Sequence, residues 1–162
     1  MQERASSIYR KLAADAASVT ALRNRRLFEW WQVRAGARTM PQRNELEPTE
    51  LAWALGHFSL IEIGADGQFT YRVDGTHIAA LTGIDMTGKR ADLYPRARSR
   101  QLILDSYREL AATGRPLCIY MDTELDGRWV NLEILLLLLA DAEGRVSHLM
   151  SAMAAKADLP RR

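Results

Sequence analysis

The sequence predicts an α+β fold built on an antiparallel β-sheet. Two apolar stretches flank Asp66-Gly67 and two longer ones flank Asp126-Gly127, and Asp-Gly is the dipeptide most typical of a tight hairpin turn. Between these pairs lie segments with the apolar spacing of helices. Because a two-residue connection cannot cross over to a parallel neighbour, the strands that it joins must run antiparallel.

The composition is that of one ordinary globular domain. Of the 162 residues, 48% are hydrophobic and 26% are charged, and Cys118 is the one cysteine. A single cysteine excludes an internal disulfide and a metal site made of several thiolates. The longest apolar run, residues 134–140, is far shorter than the roughly 20 residues of a membrane span, and the first residues lack the apolar core of a signal peptide. We therefore expect a cytoplasmic protein without a membrane segment.

Helical patterns begin the chain. In residues 3–19 apolar side chains recur at steps of three and four, which predicts an amphipathic helix. The pattern continues from Leu22 through Trp31 to Gly36, and a glycine is a common helix end. Residues 1–36 are thus predicted to form an N-terminal helical extension.

A linker and a hairpin follow. Residues 37–56 are rich in turn formers, and Pro48 suits the first turn of a short helix over residues 49–55. Residues 58–63 and 68–74 are enriched in aromatic and aliphatic side chains on either side of an Asp-Gly turn. This pattern predicts a β-hairpin.

Two helical segments and three strands complete the predicted domain. Residues 75–87 contain one or two helical turns, and residues 97–113 form a longer amphipathic helix that ends at Gly114. The strands of the final meander are predicted at residues 116–125, 128–141 and 145–154.

The strand predicted at residues 128–141 is apolar on both faces. Its even-numbered residues 130–138 are all apolar and predict the core face. The opposite face begins polar but ends in Leu135, Leu137 and Leu139, which a solvated face would not show. We expect the N-terminal helix, or the same helix from a second copy of the chain, to cover these leucines. The second case makes a homodimer an expected partner state.

Few residues in the sequence could carry chemistry. There are 3 His, and we find no nucleophile elbow, phosphate loop or metal-ligand spacing. Cys118 alternates with Leu117 and Ile119 on a predicted strand, which indicates an inert buried thiol. Glu62 and Arg72 occupy facing strands of the hairpin and are predicted to pair. No catalytic residue and no metal site is predicted.

The charge is unevenly distributed. The first 43 residues contain 9 Lys and Arg against 3 Asp and Glu, whereas the rest contains 13 against 17. A basic arm attracts phosphates, and Arg23, Arg25 and Arg26 cluster within it. Since no motif that reads nucleic acid accompanies these arginines, a solvated helix face is the preferred interpretation and DNA or RNA binding an alternative.

Several motifs occur in a characteristic order: Trp30-Trp31, residues 40–43 (MPQR), Glu47-Pro48, residues 69–76 (FTYRVDGT) and residues 81–90 (LTGIDMTGKR) with Leu93. Together they resemble the PAS family of sensor domains, and in particular a bacterial family of small single-PAS-domain proteins. The resemblance covers about residues 27–155.

The resemblance implies a fold and a class of function. It implies a five-stranded antiparallel sheet in the spatial order 2-1-5-4-3, counted along the chain, with the connecting helices packed over one face. It places a PAS-like core at residues 57–155 and leaves residues 156–162 as a tail. It implies a sensory or regulatory module, and no more specific activity can be transferred from the fold.

Two cofactor classes of such sensors are disfavoured. Haem sensors typically hold iron through a histidine on the long helix before the third strand, and the matching residues 97–113 contain none. Flavin photosensors carry a reactive cysteine in an Asn-Cys-Arg-Phe type of motif on the helical connection, whereas Cys118 lies on a later predicted strand. The cofactor is therefore left unknown.

We expect a non-catalytic PAS-like module that acts through ligand binding, protein contacts or both. A small molecule would lie between the sheet and the helix at residues 97–113. The candidate polar groups are Tyr71, His77, Tyr107, Tyr120 and His148. Hydrogen-bonded structural histidines are the simpler interpretation of the two imidazoles. No kinase, cyclase or helix-turn-helix segment follows the domain in this sequence, so we expect output through a protein partner or the N-terminal helix.

A rival interpretation is a small α+β isomerase or hydrolase with a cavity. Glu133, Asp122 or His148 would then serve as a buried acid or base. Such a group needs a shifted pKa inside the cavity, so the position of these three side chains decides between the two interpretations.

Overall fold

The computed structural model describes residues 8–125 and 127–155, which form six strands and three α-helices. The strands are β1 (Ile8–Ala13), β2 (Phe58–Ile63), β3 (Phe69–Val73), β4 (Leu117–Leu125), β5 (Arg128–Ala140) and β6 (Val146–Ala155). The helices are α1 (Leu22–Ala35), α2 (Thr76–Thr82) and α3 (Ala97–Thr113), with 3-10 turns at Arg43–Glu45 and Ala91–Leu93. None of these helices has the length and hydropathy of a segment that crosses a bilayer.

The strands form one antiparallel sheet in the order β1-β4-β5-β6-β2-β3. When β1 is set aside, β2 to β6 follow the five-strand order that the resemblance implies, so this part of the prediction is confirmed. The register places Ile119 opposite Ile134 and Leu136 opposite Ser151. Gly67, at a φ of 77°, makes the predicted turn between β2 and β3.

β1 corrects the helix predicted over residues 3–19. Ile8–Ala13 is a strand that pairs with β4, with Ala13 opposite Leu117, while residues 1–7 lie outside the described part of the chain. Without β1, β4 would present a row of unpaired backbone groups at the edge of the sheet. Pairing these groups outweighs the weak helical preference of a narrow apolar stripe. The sheet therefore has six strands rather than five.

The short helix predicted over residues 49–55 is also wrong. This stretch consists of consecutive turns, in which the backbone N–H groups of Leu51 and Leu55 donate to the carbonyls of Glu47 and Leu51. The N–H of Ala54 donates to the Leu51 carbonyl, only three residues back, so the regular hydrogen-bond pattern of an α-helix is interrupted. Leu51 and Ala54 are nevertheless buried, so the turns are held by packing.

α1 covers the leucine-rich face of β5, as expected from the sequence. Leu135, Leu137 and Leu139 are fully buried, and α1 contacts both β5 and β6. The Trp31 indole Nε1 donates a 2.7 Å hydrogen bond to the Leu138 carbonyl, which fixes the helix on the sheet. Because the chain's own helix supplies the cover, these leucines do not require a second copy.

α2 and α3 lie against the opposite face of the sheet. α3 spans the predicted residues and ends at Gly114, which adopts a left-handed conformation. α2 begins after Gly75, where a Cβ atom would approach the carbonyl oxygen of Gly56 to 2.5 Å. Only glycine fits at this position, which allows the start of α2 to lie directly on the backbone that leads into β2.

Replacement of Trp31 by alanine is expected to lower the free energy of unfolding by about 3–5 kcal/mol, because it removes a buried indole and its hydrogen bond to β5. Val33 on the same helix is 80% exposed, so Val33→Ala should change stability by less than about 0.5 kcal/mol. Urea unfolding followed by circular dichroism measures both. Equal small effects would contradict the packing of α1 on β5.

Candidate functional site

A cavity of about 70 Å³ lies between the sheet and helices α2 and α3. Its wall on the side of the sheet is formed mainly by apolar residues, among them Ile119, Met121, Leu132, Ile134 and Leu136. Hydroxyl groups from serine, threonine and tyrosine side chains interrupt this lining. The sheet face opposite α1 therefore supplies an apolar chamber with a limited number of hydrogen-bonding groups.

Tyr71 of β3 and Tyr107 of α3 meet in the wall of the cavity. Their hydroxyl oxygens are 2.9 Å apart, and the Tyr107 ring contacts Phe69 edge to face. Burial raises the pKa of Tyr71 well above its usual value and that of Tyr107 to about 12. Both phenols are therefore neutral at physiological pH, and their hydrogen bond ties β3 to α3.

Asp74 fastens the segment after α2 to the sheet. Its Oδ1 accepts a 2.6 Å hydrogen bond from Ser59 Oγ, and its Oδ2 accepts one of 2.9 Å from the Met86 backbone N–H. Ser59 Oγ in turn accepts from the Gly75 N–H. Both oxygens of this buried carboxyl group are thus used by the protein, which gives Asp74 a structural role at the edge of the cavity.

Ser106 of α3 stands apart from these satisfied groups. Its side chain is fully buried and lines the cavity, and its Oγ has no hydrogen-bond partner among the described residues. Burial of an unsatisfied hydroxyl group costs about 1–3 kcal/mol. Sequence reasoning did not single out Ser106. The available signal was a serine four residues from both Leu102 and Leu110, on the buried stripe of α3.

An open groove of about 320 Å³ adjoins the cavity. Its outer part is lined by Tyr9, Arg98, Gln101 and Asp105. Ser99, Leu102 and Met121 line both the groove and the cavity. These three side chains, where β4 faces α3, therefore separate the cavity from solvent on this side.

The structure brings together two of the five residues predicted to bind a ligand. Tyr71 and Tyr107 line the cavity, whereas His77, Tyr120 and His148 do not. His77 lies outside the cavity because of the orientation of α2. Tyr120 and His148 lie outside it because side chains alternate between the two faces along β4 and β6.

His77 lies on the exposed side of α2. Its neighbour Ile78 takes the inward position and lines the cavity. The His77 ring instead stacks on the ring of His57, with the centroids 4.0 Å apart. The prediction that His77 faces a ligand is therefore not supported by its position.

Tyr120 and His148 lie on the face of the sheet opposite the cavity. In β4, Ile119 and Met121 line the cavity, so Tyr120 between them points to the side covered by α1. His148 is half-buried, and its Nδ1 lies 2.8 Å from Ser147 Oγ. The sequence shows that side chains alternate between the two faces of each strand. It does not show whether the odd-numbered or the even-numbered residues face the cavity.

Residues 8–35, which we call the N-terminal cap, consist of β1 at the edge of the sheet and of the segment with α1, which covers that opposite face. Glu133 of β5 anchors the cap and is fully buried. Its carboxyl oxygens accept hydrogen bonds from the backbone N–H groups of Thr20, at 2.7 Å, and Ala21, at 3.0 Å. These amides lie at the start of α1, where a helix favours an acidic group.

Three side chains complete the anchor, and the first is Thr20, whose Oγ1 donates to Glu133 at 2.9 Å. Asn24 Nδ2 donates to Glu133 Oε2 at 3.0 Å. The single proton of the Tyr120 hydroxyl is shared between two acceptors, Glu133 Oε1 at 3.1 Å and the Ser18 carbonyl. Burial raises the pKa of Tyr120 to about 12, so this phenol remains a donor. Sequence reasoning considered Glu133 as an acid or base and missed this anchoring role.

The three acid–base groups that an enzyme with this cavity would use are not brought together in the cavity. Glu133 and His148 face away from the cavity, and Asp122 is exposed on β4. Glu133 is also occupied by donors from the N-terminal cap. Among the described residues, the acid–base groups that line the cavity are the hydrogen-bonded Asp74 and tyrosines whose pKa values are raised by burial.

Two structural predictions are confirmed. Glu62 and Arg72 form an ion pair across the hairpin, which lowers the pKa of Glu62. Cys118 is buried beneath the N-terminal cap, with its Sγ 3.4 Å from the Ser18 carbonyl. Burial raises the pKa of the Cys118 thiol to about 12, which keeps it protonated and unreactive.

The basic cluster of α1 makes contacts within the chain. Arg25 Nε donates a 3.2 Å hydrogen bond to the Val19 carbonyl, and the Arg26 guanidinium lies over the ring of Trp53 at 4.2 Å. Both contacts hold the N-terminal cap together or attach it to the following segment. These contacts give Arg25 and Arg26 a role within the chain that does not require a nucleic-acid ligand.

Comparison with known proteins identifies a family. A family model described as PAS domain matches residues 19–154. Among solved structures, an RNA-binding light-oxygen-voltage receptor is similar with a TM-score of 0.57 at 15% identity, over 94% of this chain and 40% of that one. At this identity the likeness shows the fold alone, and the chain spans less than half the length of that receptor.

A second solved structure is similar at a lower level. A sensory box histidine kinase/response regulator from Burkholderia thailandensis E264 gives a TM-score of 0.41 at 13% identity, over 69% of this chain and 86% of that one. None of the curated proteins matches the sequence significantly.

Replacement of Ser106 by alanine is expected to raise the free energy of unfolding by about 1 kcal/mol, because it removes a buried hydroxyl without a partner. Ser59→Ala is the matched variant. It should lower stability by about 1–3 kcal/mol, since it leaves one oxygen of the buried Asp74 unpaired. Urea unfolding measures both, and a loss of stability in Ser106→Ala would show that its hydroxyl is satisfied.

The stability should depend on pH through His148. Burial, together with nearby Arg43, lowers the pKa of His148 below 6.5 in the folded protein, against an opposing effect of Glu62. The unfolded chain therefore takes up this proton at higher pH, so stability falls as pH drops below 6.5 and levels off below the folded pKa.

His148→Gln should remove this part of the pH dependence. Unfolding of the wild-type protein and the variant by urea, from about pH 7.5 to about pH 5, measures the difference. The other two histidines are present in both proteins, so the difference between the two curves isolates His148. Parallel stability curves would contradict the lowered pKa.

Proposed function

The chain belongs to the PAS domain family, and from that premise we propose that it is a non-catalytic sensory or regulatory module. In this proposal a small molecule binds in the cavity beneath α3, and the N-terminal cap transmits its presence. One observation carries the proposal: an apolar cavity in which the buried hydroxyl group of Ser106 lacks a partner among the described residues.

Strands β4 and β5 offer a direct physical connection between the cavity and the N-terminal cap. Ile119 and Met121 line the cavity, and Tyr120 between them binds the cap. Leu132 and Ile134 likewise flank the anchor Glu133. A shift of either strand that accommodates a ligand therefore also moves the groups that hold the cap.

The N-terminal cap is the element best suited to respond. It is joined to the sheet by one edge strand, by the hydrogen bonds of Glu133 and by α1, which packs on β5, whereas β4, β5 and β6 are each paired with a strand on both sides. A ligand changes the equilibrium of such an element only by binding one of its arrangements more tightly than the other. Two arrangements of the cap, attached and loosened, are the states that we propose.

A protein partner is part of the proposal. The outer side of α1 exposes Leu22 and Val33, separated by three helical turns, and in this proposal that side of the helix contacts another protein or a second copy of this chain. We place the module in the cytoplasm, where a single reduced cysteine such as Cys118 is ordinary.

The alternatives receive less support. An isomerase or hydrolase would need Glu133, Asp122 or His148 inside the cavity, and all three lie outside it. One similar structure is an RNA-binding receptor, but in this chain Arg25 and Arg26 are engaged by a carbonyl group and an indole ring. The proposal therefore includes neither catalysis nor nucleic-acid binding.

Filling the cavity should loosen the N-terminal cap. In Met153→Phe the larger side chain takes up cavity space, as a ligand would, and pushes on β5 and β6. The backbone amides of Thr20 and Ala21, which donate to Glu133, should then exchange with solvent about threefold faster or more in hydrogen–deuterium exchange.

Leu93→Phe is the matched control. Leu93 is 64% exposed and is not part of the cavity lining, so the same kind of enlargement should leave the exchange of the cap unchanged. Unchanged exchange of the Thr20 and Ala21 amides in a folded Met153→Phe variant would refute the connection between the cavity and the cap.

A further inference from the structure

We propose that the cavity binds an uncharged molecule about the size of phenol, apolar except for one oxygen that hydrogen-bonds to Ser106 Oγ. This inference rests on the proposed function, because it names the chemical class of the ligand of that same cavity. It is drawn from the charge, the volume and the hydrogen-bonding state of the lining.

The charge of the lining selects a neutral ligand. No lysine, arginine or histidine is among the described residues that line the cavity, and Asp74 is its carboxyl group. An anion would meet this acidic group with no compensating cation. A cation at Asp74 would compete with the hydrogen bonds that its two oxygens accept from Ser59 and Met86 and that fasten this wall of the cavity. Burial of an uncompensated charge is strongly unfavourable, so an uncharged molecule fits best.

Arg96 does not change this assignment. Its guanidinium group lies outside the lining and donates to Tyr94 OH at 3.0 Å and to the Thr82 carbonyl at 2.7 Å. Because of these hydrogen bonds, the positive charge of Arg96 is held at the wall of the cavity and does not point into its interior.

The volume limits the size of the ligand. A cavity of about 150 Å³ accommodates benzene, and this one has about 70 Å³. Met86, Met121 and Met153 line it, and the flexible methionine side chain readily changes rotamer to enlarge a site. The cavity must therefore enlarge through these methionine side chains before a single six-membered ring with one substituent fits, and a larger ligand would displace α3.

The hydrogen-bonding state of the wall points to one oxygen on the ligand. Tyr71 and Tyr107 bind each other, Ser59 binds Asp74, and Thr82 Oγ1 donates to the Ile84 carbonyl. Among the buried side-chain oxygens of the described lining, Ser106 Oγ is the one without a partner. A ligand hydroxyl or carbonyl at this point would satisfy it, while the rest of the molecule contacts apolar side chains.

The groove beside β1 provides a route of entry. Leu102 and Met121 are each 8% exposed and lie between the groove and the cavity. Rotation of these two flexible side chains opens a path for a molecule of this size. The route passes along β1, so the same strand that borders the entrance belongs to the N-terminal cap.

Titration of the ¹⁵N-labelled protein with four probes tests the inference. Phenol is the neutral probe with an oxygen, toluene lacks the oxygen, and benzoate and benzylammonium carry opposite charges. Two-dimensional NMR should show saturable shifts in α3, β4 and β5 with phenol. Toluene should bind about tenfold more weakly, the value of one hydrogen bond, and the charged probes should not bind at up to about 10 mM.

Two variants locate the interaction. Ser106→Ala should lower the affinity for phenol about tenfold and leave the affinity for toluene unchanged, so that the variant binds the two probes equally well. Met153→Phe, which fills the cavity, should weaken both. Leu93→Phe, at an exposed position outside the lining, should weaken neither.

Several results would overturn the inference. They are binding of benzoate or benzylammonium as tightly as phenol, equal affinity of phenol and toluene for the wild-type protein, or no binding of any probe. None of these affects the hydrogen-exchange test of the connection between the cavity and the cap, so failure of the ligand class is distinguishable from failure of the proposed function.

Discussion

Burial of the Glu133 carboxyl group is the constraint on which the arrangement of the chain depends. The group lies in an otherwise apolar part of β5, where an acid without partners would destabilise the fold by several kcal/mol. Its partners are the Thr20 and Ala21 amides and the side chains of Thr20, Asn24 and Tyr120. β5 can therefore be buried on both faces only when the N-terminal segment lies against it, which makes that segment part of the core.

The alternation of side chains in β4 and β5 gives the sheet two separate roles. The side chains on one face of these strands line an apolar cavity against α3. Those on the other face hold the cap through polar and apolar contacts. The two sites are thus separated by the thickness of a single strand. Coupling between them needs no long chain of intermediates, because one backbone carries both sets of side chains.

Local signals allowed much of the fold to be predicted. Asp66-Gly67 marked the first hairpin, the apolar stripe of residues 97–113 marked α3, and the leucines of β5 showed that a second cover was needed. β1 could not be predicted in this way, because it is stabilised by pairing with β4, more than 100 residues later in the chain. Tyr71 and Tyr107 were identified as cavity residues, but Tyr120 and His148 were not excluded, since periodicity shows that two faces exist and not which one meets α3.

The pairing of β1 with β4 also bears on assembly and solubility. β4 has nine residues, and β1 covers six of them as the outermost strand of the sheet. Release of β1 would leave a row of unpaired N–H and C=O groups, which is a template for strand addition from another polypeptide. Release of the N-terminal segment would thus expose an unpaired edge of the sheet that can bind another strand. A transient opening would recruit an extended peptide, and a persistent one would favour aggregation.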